Sequence, residues 1–74
     1  MTKQSKENHH KQLISILQNA NASVNLLAQA MYSLDMYHEE NASKYISLSC
    51  PKSKYIKAKE LYKVWRKNVD LLMD

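Results

Sequence analysis

The chain has 74 residues, a net charge of +4, no glycine, one proline and one cysteine. That length allows one domain with a small core, and chains this short usually need a staple or a partner for stability. The lone Cys50 excludes an intrachain disulfide, no Cys/His spacing fits a zinc finger, and without glycine the standard phosphate-cradling loops cannot form.

A β protein needs turn glycines and β-branched runs. This chain is instead rich in Ala, Leu, Gln and Lys, so the fold class read from composition is all-α, with a single helical domain over residues 1–74. No apolar run follows a basic start, so no secretory signal is evident, and residues 1–6 are expected to fray. A cytoplasmic location fits that reading and the single cysteine. The Asn-Ala-Ser triplets at Asn21 and Asn41 match the glycosylation pattern, but without a signal they are set aside.

With Leu17 at heptad position a, the residues Leu13, Leu17, Ala20, Val24, Leu27, Met31 and Leu34 recur at alternating steps of three and four, the mark of an apolar helical seam. Asn19, Asn21, Ser23 and Asn25 all miss that seam, and each costs only about a few tenths of a kcal/mol inside a helix. The spacing therefore predicts one long helix from about residue 6 to 38.

No residue from Gln12 through Leu34 carries a charge. The run is long enough for a bilayer, but Gln, Asn and Ser are scattered over every face, which hydrocarbon resists. No transmembrane segment is expected. Ile14 and Ala28 at position e, Ile16 and Ala30 at g, and Leu26 at c widen the apolar stripe. A water-facing helix normally carries Lys and Glu. The seam is thus expected to be an interface with a second copy, as a dimer or larger, or with another helical protein. A compositional habit of the genome is the plainer account of the neutral amides.

The pattern weakens after Leu34, where His38 and Asn41 fall on seam positions. Asn41 is a plausible N-cap for a short helix over about 41–49. Pro51 disfavours helical geometry at Cys50 and suits the first turn of a third helix over about 52–73. Tyr55, Ala58, Tyr62, Trp65, Val69 and Leu72 form its seam, and Tyr55, Tyr62, Trp65, Val69 and Leu72 are the expected core anchors.

Residues 1–51 are neutral, so the whole excess charge lies in this last helix. Lys52, Lys59 and Arg66 recur seven apart, with Lys63 and Lys67 on the outer face. These five are candidate contacts for an acidic protein or for nucleic acid. The aromatics belong to the seam and serve a core better than base stacking.

Catalytic chemistry finds little footing. Asp35, His38 and Glu39 share a face near a helix end, whereas a bundle metal site needs matched sets on several helices. Cys50 has no activating neighbour in the sequence. No enzyme activity, metal or cofactor is expected. His10 and His38 sit four heptads apart at position a, and protonation below about pH 6 would weaken any interface that buried them. The reading is a non-catalytic protein–protein interaction module: a small regulator, adaptor or assembly factor. The alternative is nucleic-acid binding through the basic face of the last helix, with a membrane-surface role third.

Overall fold

A computed structural model of the chain describes residues 3–73, and side chains for residues 5–68. It is all-helical, with three α-helices packed together and no strand among the described residues: α1 (Lys3–Leu17), α2 (Val24–Ser33) and α3 (Lys52–Met73). A five-residue π-turn, Leu34–His38, continues α2, and a 3-10 turn, Ala42–Tyr45, lies between it and α3. The third helix follows the expected bounds. α1 is already helical at Lys3–Lys6, while residues 1 and 2 lie outside the described part.

The expected long helix over 6–38 is corrected: the chain breaks after Leu17 and folds back. The Asn and Ser residues that miss the seam make the break. Asn19 closes an Asx turn by accepting the Asn21 N–H through Oδ1 at 2.9 Å. Ser23, in extended geometry, caps α2 by accepting the Leu26 N–H at 3.1 Å. Short Asn and Ser side chains offer the backbone local hydrogen bonds that compete with the helical ladder. Two distant groups then hold the turn. The Ser47 N–H donates to the Leu17 carbonyl at 3.2 Å, and Lys54 Nζ donates to the carbonyls of Ala20 (3.2 Å) and Ala22 (2.7 Å).

Lys54 is therefore a structural lysine. Lys54→Met keeps the aliphatic stem but strands both carbonyls. Losing charge-assisted bonds of this kind should cost about 1–3 kcal/mol, read as a lower urea midpoint at unchanged slope.

α1 and α2 run antiparallel, bringing His9 and His10 beside His38. α3 runs in the same sense as α2, since Lys54 meets Ala22 while Arg66 meets Asp35. α2 is the middle layer. Ala28 and Ala30 are both fully buried, yet two residues put them about 200° apart on a helix. Ala28 shares a face with Tyr32 and Asp35, which meet Trp65 and Arg66 of α3. Ala30 shares the opposite face with Leu27 and Leu34, toward α1. Only the arc holding Asn25, Leu26 and Gln29 is exposed.

The wide uncharged stripe is thus largely covered from within. Leu13, Leu17, Leu27, Met31 and Leu34 are buried inside the single chain, Ala20 and Val24 are half-buried, and Ala22 joins the core. The seam named as a partner interface serves as the chain's own interior.

The expected helix over 41–49 shortens to Ala42–Tyr45. Asn41 does cap it, accepting the Ser43 N–H at 2.9 Å. Ile46 then leaves helical geometry, with ψ 130°, freeing Ser47 to reach Leu17. Without a glycine to close α2's π-turn, Glu39 takes the left-handed conformation at φ 53°, where an L-residue costs roughly 1–2 kcal/mol.

Candidate functional site

The first candidate is the outer face of α3. At about 100° per residue, Lys52, Ile56, Lys59, Lys63 and Lys67 fall within an arc of about 80° and extend over about 22 Å. All five side chains are exposed, Ile56 to 44%. Val64, 55% exposed, lies farther round the same outer side. Lys59 Nζ stands 5.8 Å from the Tyr55 ring centroid, and among the described residues no carboxylate forms an ion pair with these four lysines.

Arg66 does not belong to this set. It turns inward, with Nε 2.7 Å from Asp35 Oδ2 and Nη1 3.0 Å from the Met36 sulfur. Asp35 Oδ2 is shielded from solvent and accepts no aligned hydrogen bond, so the contact acts as a charge pair. A seven-residue repeat drifts by about 20° per heptad on a straight helix, which carries Arg66 off the line of Lys52 and Lys59 toward α2. The pair sits in an open groove of about 750 Å³ between the π-turn and α3, floored by Met31 and walled by Tyr62.

Tyr55, Tyr62 and Trp65 are half-buried against the core, and Trp65 meets Tyr32 edge-on at 6.3 Å. Val69 and Leu72 lie outside the described side chains. With its aromatics turned inward, the outer side of α3 presents mainly lysines and aliphatic side chains, with Glu60 exposed beside them.

The second candidate is a histidine cluster that only the fold-back assembles. His9 Nδ1 lies 2.9 Å from His38 Nε2, and the His10 and His38 ring centroids are 5.1 Å apart. Glu40 Oε2 lies 2.6 Å from His10 Nε2 and accepts the Tyr45 hydroxyl at 3.0 Å. Partial burial lowers the His38 pKa from its ordinary 6.5, helped by the neighbouring His10, His9 and Lys6. The hydrogen bond from His10, and then that from Tyr45, lowers the Glu40 pKa. Among the described residues, no group of three or more His, Cys, Asp or Glu side chains is arranged to hold a metal ion.

Nothing in the sequence pointed to His9, Glu40 and Tyr45 as partners. Their only linear sign is the pair of polar clusters, His9-His10 and His38-Glu39-Glu40, which a hairpin turn places opposite each other.

No protein-family model, curated protein or solved structure matches this chain. No helix among the described residues is long and apolar enough to cross a membrane.

Proposed function

We propose that the chain is a non-catalytic protein–protein interaction module that docks an acidic protein surface against the outer face of α3. The observation behind this reading is the exposed stripe Lys52, Ile56, Lys59, Lys63 and Lys67. Lysines steer and orient an acidic partner, while an aliphatic side chain among them supplies apolar area to bury. Two copies of one basic stripe repel each other, so the partner is a different protein. The second reading is nucleic acid, which the same lysines would hold through phosphate. It is favoured less because no aromatic of α3 is offered for stacking and because Ile56 and Val64 interrupt the charge.

A photo-crosslinking residue at position 56 of the full chain, expressed in its native host, separates the two readings. The expected product is an adduct removed by protease, resistant to nuclease, and lost in the Lys59→Glu, Lys63→Glu double variant. A nuclease-sensitive adduct would establish the second reading instead. No adduct at all would refute both.

A further inference from the structure

We propose that the histidine cluster is an acid-released latch that fastens the first turns of α1 to the π-turn. This goes beyond the reading of α3 and does not depend on it. α1 is held unevenly. Leu13 and Leu17 anchor its second half in the core, whereas Ser5, Lys6, Glu7 and Asn8 are all exposed. In its first half, His9 and His10 reach across to the segment beyond α2.

The geometry of the His9–His38 bond makes it proton-sensitive. Two ring nitrogens 2.9 Å apart share one proton, one donating and the other accepting. A second proton between those nitrogens sets two N–H groups head-on and makes the accepting ring a cation. The surroundings give that charge little relief. From α1, Lys6, His10 and Lys11 are cationic or can become so, and Glu7 is the one acid of α1 lining the cleft between α1 and His38. From the far side, Tyr37 meets the edge of His9. The Glu40 carboxylate favours a charge on His38, but it is already engaged by His10, Tyr45 and, at 3.8 Å, Lys44. Lys59 and Arg66 of α3 line the groove on its other side.

The sign follows from linkage. A released His38 binds its proton near the ordinary 6.5, whereas the latched one resists it. The latched state is therefore favoured above that value and loses ground as pH falls below it. Glu40, its own pKa lowered, stays ionised through this window and keeps hold of His10. Release is thus confined to the turns ahead of His10, a local opening and not global unfolding.

The test is a titration of the full chain from about pH 7.5 to about pH 5, the range in which histidine changes charge, followed by Cα chemical shifts. The expected result is that the helical shifts of Ser5 to His9 fall toward coil values across the titration while those of α3 stay fixed. In His38→Gln, which keeps a hydrogen-bonding group but takes no charge, the same residues should show no transition. His9→Gln should behave likewise and serves if the first variant folds poorly. Flat shifts in the natural sequence would overturn the latch. So would an unchanged transition in both variants.

Discussion

Leu27→Ala is expected to cost about 3–5 kcal/mol, the upper range for a leucine with no exposed surface. Leu27 is 0% exposed in the middle layer, and among the described residues Leu17 and Leu34 are the other large side chains excluded completely from solvent. A domain of this length has roughly 4–11 kcal/mol in total, at about 0.05–0.15 kcal/mol per residue. The variant should be largely unfolded near 37 °C, which far-UV circular dichroism would show as a lost melting transition. Leu27→Glu should not fold at all, because a carboxylate there has no partner and no route to water. A loss below about 1 kcal/mol for the alanine variant would mean that α1 does not cover this side of α2.

A pair of prolines tests the break between α1 and α2 directly. Ala30→Pro should cost at least about 3 kcal/mol, since it removes an interior hydrogen bond and drives the ring into the Leu26 carbonyl. Val24→Pro should cost about 1 kcal/mol or less. Val24 is the first residue of α2, directly after the Ser23 cap. A proline there loses no helical hydrogen bond, and Ser23 at φ −71°, ψ 163° already has the extended geometry that a following proline requires. The discriminating measurement is the difference between the two urea midpoints. In one continuous helix both positions are interior and both prolines are equally damaging.

What the sequence made legible and what it hid have physical reasons. Pro51 marks the start of α3, and Asn41 is a cap, because both act through local geometry. Leu13, Leu17, Leu27, Met31 and Leu34 face inward, because periodicity within each helix survives whether or not the helices are joined. The break at residues 18–23 was not legible. Asn19 and Ser23 shift the local balance by only tenths of a kcal/mol each, and the decision falls to Lys54 and Ser47, about thirty positions along the chain. The histidine cluster was hidden for the same reason. His10 and His38, read on one helix, stand about 42 Å apart, and the fold-back brings their rings within 5.1 Å. Arg66 was misplaced by treating seven residues as two exact turns.

The middle position of α2 also orders events during synthesis. Its two buried faces are covered by segments on opposite sides of it in the chain, α1 before and α3 after. A nascent chain can close the α1–α2 hairpin early, but the side carrying Ala28, Met31 and Tyr32 stays uncovered until the last third has been made. Throughout that interval an uncharged, alanine- and methionine-lined surface is open to water, the kind of transient exposure that invites aggregation or chaperone capture. The basic helix that supplies the proposed docking surface is also the piece that ends this exposure.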